Sequence, residues 1–358
     1  MKKPLVILAA VLTLALSVSA CSTGATAQPS TAGAGSGAND KVPDTIQPID
    51  LRNVVHGSMK GKRVAFVPLL YKGYKITQQW GTTMQRVVTM EGGTFSVFDS
   101  NFNTDQMIRT IDGLIKGKKA DVLVLHNPDV SVLTQQIQDA KAAGIYTVVL
   151  NLMSSQTGDA FVGGDTVSAS EDISSRAFKD CASRGKKKVA MINGPGTNGF
   201  DLLFAKGVKD AAKKQGFEVV AETKSNYQVD LASQQATTLV QTYKSDLCAI
   251  ILPWDVLAIA AGKSVQRSVS QGIISQGDVG VYSLDASSDG CDAVKSGVIT
   301  ALASYDVPGI GAAAAVVVQN ILQLGMKPGS THTAAYVDDV VFDKSSVSSI
   351  STACYTGE

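Results

Sequence analysis

Residues 61–99 read GKRVAFVPLLYKGYKITQQWGTTMQRVVTMEGGTFSVFD, a short apolar segment, a turn, an amphipathic segment and a second apolar segment. The pattern predicts strands over 63–68 and 95–98 and a helix over 77–90. Beyond this unit, Met107, Ile111 and Leu114 recur on one helical face before a third apolar run at 122–125. A further helix leads to a fourth predicted strand over 146–150. The stretch therefore indicates a parallel sheet built from consecutive strand–helix units.

A second series of the same kind begins after the strand-like segment 160–162. Strands are predicted over 188–192, 218–221, 249–252 and 280–284, each separated from the next by a helical segment. Two such series in 358 residues predict an α/β fold of two doubly wound parallel-sheet lobes. Ligands bind beyond the carboxyl ends of strands in such sheets, so we expect a site in the loops after Val67, Leu150, Ile192, Leu252 and Leu284.

The N-terminus has the features of an export signal. Lys2 and Lys3 precede an apolar run over 5–16, which is shorter than the roughly 20 residues needed to cross a bilayer. The run ends in Val18-Ser19-Ala20-Cys21, which resembles the lipobox of bacterial lipoproteins and implies acylation of Cys21. The alternative is an ordinary signal peptide cut after Ala20. We expect a signal peptide over 1–20 and a lipidated, flexible, Ser/Thr/Gly-rich tether over 21–60.

Charge and cysteine content limit the partners of the chain. A formal net charge of +1 gives no electrostatic reason to expect nucleic acid as a partner. Four cysteines follow Cys21, and outside the cytoplasm they could form two disulfides in any of three connectivities or remain free and buried. They form no CxxC pair and no histidine lies at ligand spacing, so no metal is expected. The cysteines are Cys181, Cys248, Cys291 and Cys354.

Over 61–342 the chain resembles the type I periplasmic binding proteins, near the ribose-binding and autoinducer-2-binding branch. The resemblance rests on Val64-Ala65-Phe66-Val67-Pro68, Gly73-Tyr74, Asn127-Pro128, Ala143-Gly144-Ile145, Val162-Gly163-Gly164-Asp165, Asp285 and Ala293-Val294-Lys295-Ser296-Gly297. It implies three chain crossings, with hinge residues Asp165, Ser304 and Asp338. The N-terminal lobe would then comprise 61–165 plus 305–337, and the C-terminal lobe 166–304 plus 338–358.

The resemblance also implies a function. The chain would be an extracytoplasmic substrate-binding protein of an ABC importer, anchored to the cell membrane by lipid on Cys21 and recognised by a permease. Its ligand would be a sugar, a polyol or a similar small polar molecule, bound by hinge closure of a monomer without a cofactor. A sensory receptor of the same fold, which presents a signal molecule to a membrane kinase, shares every feature and is the alternative.

Family binders place aromatic rings just after the first strand, where this chain has Tyr71, Lys72 and Tyr74. These residues are predicted to stack on the ligand and donate hydrogen bonds, with a solvated surface loop as the alternative. Trp80 is interpreted as core packing of the first helix. His126 is assigned a structural role or a place at the cleft rim.

Further candidates follow the later strands. The ribose binder has arginines near the positions of Leu152 and Leu202, and both are absent here, so ribose specificity does not transfer. Asp255 could bind ligand or only cap a helix. The candidate ligand residues in these loops are Asn151, Asp201, Trp254, Asp255, Asp285 and Tyr305.

The segment Gly194-Pro195-Gly196-Thr197-Asn198-Gly199 matches the dinucleotide-binding pattern GxGxxG, and Glu218 lies about 20 residues further on. We reject NAD binding because the export signal takes the chain away from the nicotinamide pool and Pro195 stiffens the loop. The segment is interpreted as a turn at the cleft rim. GxSxG, HExxH and P-loop motifs are missing, so no enzymatic activity is expected, with a hydrolase as the remaining alternative.

Overall fold

The computed structural model describes residues 55–350 and 353–357. The predicted signal peptide, the acylation site Cys21 and the tether up to residue 54 lie outside these residues. Met59 falls in the segment assigned to the tether, yet its side chain is completely buried in a hydrophobic core. The packed part of the chain therefore begins before Gly61, because an apolar residue there adds to the core.

The first sheet has six strands in the order β11-β5-β4-β3-β1-β2, and every neighbouring pair is parallel. Its strands are β1 (Arg63–Val67), β2 (Thr94–Val97), β3 (Val122–Leu125), β4 (Tyr146–Leu150), β5 (Ala160–Gly164) and β11 (Thr333–Val337). The connecting helices are α1 (Lys75–Met90), α2 (Thr104–Lys116) and α3 (Thr134–Ala142), and α9 (Val307–Leu324) packs against α1 and β5.

The second sheet has the order β12-β10-β9-β8-β6-β7. Its strands are β6 (Lys188–Asn193), β7 (Glu218–Lys224), β8 (Leu247–Leu252), β9 (Gly280–Leu284), β10 (Ala301–Tyr305) and β12 (Asp339–Asp343). Its helices are α4 (Thr166–Ala182), α5 (Gly199–Gln215), α6 (Val229–Tyr243), α7 (Asp255–Ser270) and α8 (Ser288–Ser296). The prediction of two doubly wound, largely parallel α/β lobes is confirmed.

One edge strand runs against the others. β12 pairs antiparallel with β10, with Tyr305 opposite Asp339. The chain leaves this sheet after Tyr305, the last residue of β10, and re-enters it at Asp339, the first residue of β12. Both points lie at the same end of the sheet, so β12 must run antiparallel to β10. This strand is not among those predicted from the sequence, because its direction depends on the point at which the chain re-enters the second sheet.

The chain passes between the sheets at three adjacent points. Asp165 follows β5 and caps α4 by accepting hydrogen bonds from the backbone of Val167 and Ser168, both at 3.2 Å. Asp338 lies between β11 and β12, and its carbonyl oxygen accepts a hydrogen bond from the Asp306 N–H at 3.3 Å. Gly164 lies at the first crossing, and Tyr305, the last residue of β10, lies at the second. A Cβ on Gly164 would lie 2.9 Å from the Cβ of Tyr305, so these two crossings approach too closely for a side chain at position 164.

Two disulfides lie in the part of the chain that carries the second sheet. Cys181 at the end of α4 bonds to Cys248 in β8, and Cys291 in α8 bonds to Cys354 near the C-terminus. The second disulfide holds the segment 353–357 beside α8. Ser304 in β10, predicted as a hinge residue, is buried and donates a hydrogen bond from its hydroxyl to the Ala353 carbonyl at 3.0 Å.

Helix α9 is long and apolar enough to cross a membrane by composition alone. It is instead a core helix of the first lobe, since Ile310, Ala314 and Val318 are buried. A Cβ on Gly311 would lie 3.1 Å from the Trp80 Cα, so this glycine permits the close packing of α9 on α1.

Candidate functional site

A cavity of about 190 Å³ lies between the two sheets, at the carboxyl ends of their strands. Residues from both lobes line it, together with Tyr305 at the second crossing. It exceeds the roughly 150 Å³ cavity that accommodates benzene in a protein core, so a solute of about one ring fits inside. Its lining residues include Tyr74, Trp80, Phe102, His126, Asn151, Pro195, Asn198, Phe200, Tyr227, Trp254, Asp285 and Tyr305.

Aromatic rings from both lobes meet across this cavity. Tyr74, which directly precedes α1, lies 5.9 Å from Trp254 between ring centroids, in an edge-to-face arrangement. Trp254 also lies 6.0 Å from Tyr227, and Phe200 lies 6.3 Å from Tyr305. Such contacts stabilise aromatic pairs beyond their buried area, so the rings form an ordered wall.

Asn151 and Asp285 occupy equivalent positions in the two lobes. Each directly follows a strand, β4 or β9, and each has a left-handed backbone, with φ of 60° and 77°. Asn and Asp tolerate this conformation better than most residues, and it turns the chain sharply at the strand end. Both side chains line the cavity while remaining buried from bulk solvent.

The carboxyl group of Asp285 is held from one side only. Its Oδ1 accepts hydrogen bonds from the Tyr355 hydroxyl at 2.6 Å and from the Ala286 N–H at 2.9 Å. Among the described residues no donor contacts Oδ2. Burial and the neighbouring Asp255 carboxylate raise the pKa of Asp285 to about 8, because both disfavour the charged form.

Asp255 lies behind this group and does not line the cavity. Its Oδ2 accepts hydrogen bonds from the Ser287 N–H at 2.8 Å and the Ser287 hydroxyl at 2.6 Å, and Ser287 in turn caps α8. Oδ1 is buried without a partner. Burial raises the pKa of Asp255 to about 6, so the two neighbouring aspartates are both easier to protonate than an exposed one.

Asp201 also lies outside the cavity wall. It is completely buried and accepts hydrogen bonds from the Tyr227 hydroxyl at 2.5 Å, the Gly196 N–H at 2.9 Å and the Asn198 amide at 3.1 Å. It thereby orders the 194–199 loop, whose Pro195 and Asn198 face the ligand space. Asp201 thus positions other residues.

Trp80 and His126 are buried in the first lobe and also line the cavity. Trp80 is completely buried, as its assignment to the core of α1 requires, and it also lines the cavity beside His126, 5.3 Å away between centroids. The Trp80 Nε1–H and His126 Nδ1 have no hydrogen-bond partner among the described residues. Burial lowers the pKa of His126 to about 3, so the ring is neutral.

A sequence model described as "periplasmic binding protein domain" matches residues 64–327, most of the chain. The chain belongs to this family. Its members bind substrates and are not enzymes, and no curated protein sequence matches the chain closely enough to add a more specific assignment.

Several solved structures share the fold of this periplasmic binding protein. The myo-inositol binding protein of Caulobacter has a TM-score of 0.71 and 16% identity, over 83% of this chain and 97% of that one. The periplasmic ribose ABC transporter structure from Conexibacter woesei has a TM-score of 0.72 and 20% identity, over 84% and 99%. A solute-binding protein from Agrobacterium vitis bound to α-D-tagatopyranose has a TM-score of 0.70 and 19% identity, over 82% and 99%.

In this periplasmic binding protein, five of the nine predicted ligand residues line the cavity, namely Tyr74, Asn151, Trp254, Asp285 and Tyr305. Tyr71 does not, because its ring packs against Phe66, 6.3 Å away. Lys72 is exposed on the same loop, where the backbone N–H groups of Tyr71 and Lys72 both donate to the Asp99 carboxylate at 3.0 Å. The remaining two, Asp201 and Asp255, act behind the wall.

Other residues of the site were missed by the sequence analysis. Phe102, Phe200 and Tyr227 contribute rings from loops and from the first turn of α5, and Tyr355 reaches Asp285 from the C-terminal segment. Tyr355 directly follows Cys354, so a correct disulfide pairing would have indicated it. No cluster of potential metal ligands is found among residues 55–350 and 353–357.

Proposed function

We propose that this chain is the solute-binding protein of an ABC importer and takes up a sugar, a polyol or a similar small polar molecule. The observation that carries the proposal is the single-ring-sized cavity between two lobes, at the carboxyl ends of both parallel sheets. Capture of a solute requires a site that encloses it, and no covalent step is needed.

The solutes named for proteins of the same fold support this size class. They include myo-inositol, α-D-tagatopyranose and allitol, each a compact polyhydroxylated compound. In the present chain Asn151, Asn198 and Asp285 supply polar groups, and the rings of Tyr74 and Trp254 supply apolar faces. A wall that combines apolar faces with a few polar groups is typical of small-molecule sites.

The lobes would be 61–165 plus 305–337 and 166–304 plus 338–358, moving about Asp165, Ser304 and Asp338. In support of closure, the Lys75 ammonium of the first lobe contacts the Ser288 hydroxyl at 2.8 Å and the Asp289 carboxylate at 2.9 Å in the second. Domain closure around a ligand in proteins of two lobes uses a few residues at the connections.

The proposal includes export and a lipid anchor on Cys21, which the basic, apolar and lipobox-like N-terminal segments support. Cys21→Ser should move the protein from the membrane fraction to the soluble extracytoplasmic fraction. Retention in the membrane fraction would exclude Cys21 as the anchor.

A thermal-shift panel of sugars, polyols, amino sugars and other small polar compounds tests the binding function. A ligand at 100 times its dissociation constant adds about 2.7 kcal/mol to the free energy of unfolding, which corresponds to a rise of several degrees in Tm. Trp254→Ala should abolish the shift, whereas Val316→Ala, on the exposed side of α9, should retain it. The proposal fails if no compound of this panel raises Tm.

A further inference from the structure

Among the described residues, the cavity wall contains an acidic side chain and no basic side chain that could pair with it. Asp285 is the only acidic residue that lines it, and no lysine or arginine is among its lining residues within the described chain. At the edge of the cleft, the Lys75 ammonium is engaged by Ser288 and Asp289. The one histidine of the wall, His126, is neutral.

This arrangement leaves Oδ2 of Asp285 available to a ligand. Both protein hydrogen bonds to the group go to Oδ1, and Asp255 behind it adds a second carboxyl group. A buried carboxylate without a counterion is unfavourable, and removing water from the cleft makes it more so. A cation placed against Oδ2 would supply the missing charge.

The composition of the aromatic wall also suits a cation. Tyr74, Tyr227 and Trp254 lie edge to face with centroids about 6 Å apart. Each ring face attracts a cation within about 6 Å through its quadrupole, most strongly where water is excluded. Trp80 belongs to the same wall, and its Nε1–H has no hydrogen-bond partner among the described residues.

We infer that the solute bears an ammonium group, which Asp285 Oδ2 neutralises beside the rings of Tyr74, Tyr227 and Trp254. This inference rests on the proposed function, because it specifies the charge of the imported solute. A protonated or quaternary amine shares the required chemistry, so amino sugars and small quaternary ammonium compounds are the two sources. With a neutral solute, by contrast, Asp285 would remain protonated and donate to a hydroxyl.

The test uses sets of related compounds in which one member carries an ammonium group and the others are neutral. One set is D-glucosamine, D-glucose and N-acetyl-D-glucosamine, a second is the corresponding galactose series, and a third is choline with its neutral analogue 3,3-dimethyl-1-butanol. Both tryptophans of the chain line the cavity, so their fluorescence reports occupancy directly, and calorimetry gives Kd. In at least one set the ammonium compound should bind at least tenfold more tightly than its neutral partners.

Asp285→Asn then removes the charge of this side chain while keeping its shape. It should weaken binding of the ammonium compound about 10- to 100-fold, as expected for loss of a hydrogen bond to a charged group, and leave the neutral partners unaffected. The matched control is Asp292→Asn, which changes an exposed aspartate of α8. A thermal melt of each variant checks folding.

The outcomes distinguish the two proposals. If a neutral sugar or polyol binds and its ammonium partner binds no more tightly, the ammonium inference is overturned and the importer function stands. Equal loss of both compounds in Asp285→Asn also overturns it. If no compound of any set binds and the thermal-shift panel is negative, both proposals fall.

Discussion

At the scale of single residues, the decisive feature is a carboxyl group that the fold keeps from water. Asp285 is 2% exposed, follows β9 with a left-handed backbone and lies close to Asp255. The groups that face it are Asp255 from α7, Tyr74 from the start of α1, Tyr305 from β10 and Tyr355 from the C-terminal segment. None of them is a cation, so the ligand-free fold favours the protonated acid.

This arrangement predicts how stability depends on pH. The pKa of Asp285 is about 8 in the folded chain and about 4 in an unfolded one. Between these values the folded protein holds more protons, so its free energy of unfolding falls as pH rises. Asp285→Asn removes this contribution. From pH 5 to pH 8 the free energy of unfolding of the variant should therefore rise by a few kcal/mol relative to that of the wild type, at about 1.4 kcal/mol per pKa unit.

Urea denaturation of the ligand-free proteins at pH 5, 6, 7 and 8 measures this difference. Asp292→Asn serves as the control, since it makes the same substitution at an aspartate of α8 that is 72% exposed. A constant difference for Asp285→Asn would mean that the carboxyl group is already ionised at pH 5.

At the scale of elements, buried strands were predictable and the site residues between them only in part. The strand predicted over 188–192 is Lys188–Asn193 in the structure, because a continuous β-branched and apolar run has few other solutions. Helix α1 begins at Lys75, two residues earlier than predicted. Its preceding residue, Tyr74, makes no capping hydrogen bond, so the sequence contains no polar start signal there.

The cavity wall depends on contacts that local patterns do not encode. Tyr227 faces the ligand space because Asp201, 26 positions away, accepts its hydroxyl hydrogen. Tyr355 reaches Asp285 across 70 positions, and the spacing of the cysteines does not determine which of them pairs with Cys354. The residues directly after β4, β8 and β9 could be predicted, because the topology of parallel sheets alone brings strand ends together.

The C-terminal segment supplies a prediction at this scale. The disulfides Cys181–Cys248 and Cys291–Cys354 close loops of similar length, with separations of 67 and 63 residues, so removing either should cost about 2–4 kcal/mol of unfolding free energy. Only the second holds Tyr355 against Asp285. Replacing Cys291 and Cys354 by serine should therefore weaken ligand binding as well, with Kd measured by calorimetry.

The Cys181/Cys248 double serine variant is the matched control. It should lose comparable stability and retain the Kd of the wild type at a temperature where both variants remain folded. If the two variants bind with equal affinity, the C-terminal segment does not support the site.

At the scale of the whole molecule, the contacts between the two lobes include the aromatic wall and, among the described residues, an ion pair at the edge of the cleft. Tyr74 and Trp254 come from opposite lobes, as do Lys75 and Asp289. The rings bury apolar surface, whereas the side chains of Lys75 and Asp289 are 35% and 68% exposed. Burial should therefore contribute most to the stability of the closed form, since exposed ion pairs contribute about 0–1 kcal/mol.

The ion pair nevertheless gives a measurable prediction about closure. Lys75→Ala removes a contact that exists only when the lobes are together, so it should shift the population toward open molecules and weaken binding of the best compound from the thermal-shift panel. The loss should not exceed about fivefold, which corresponds to about 1 kcal/mol. The loss of affinity should shrink between 50 and 500 mM salt, because salt screens exposed charges.

Lys295→Ala is the control, since Lys295 pairs with Asp292 inside α8 and its replacement should leave Kd unchanged. A loss well above fivefold, or one that does not depend on salt, would mean that Lys75 contacts the ligand itself and that closure relies on the rings alone.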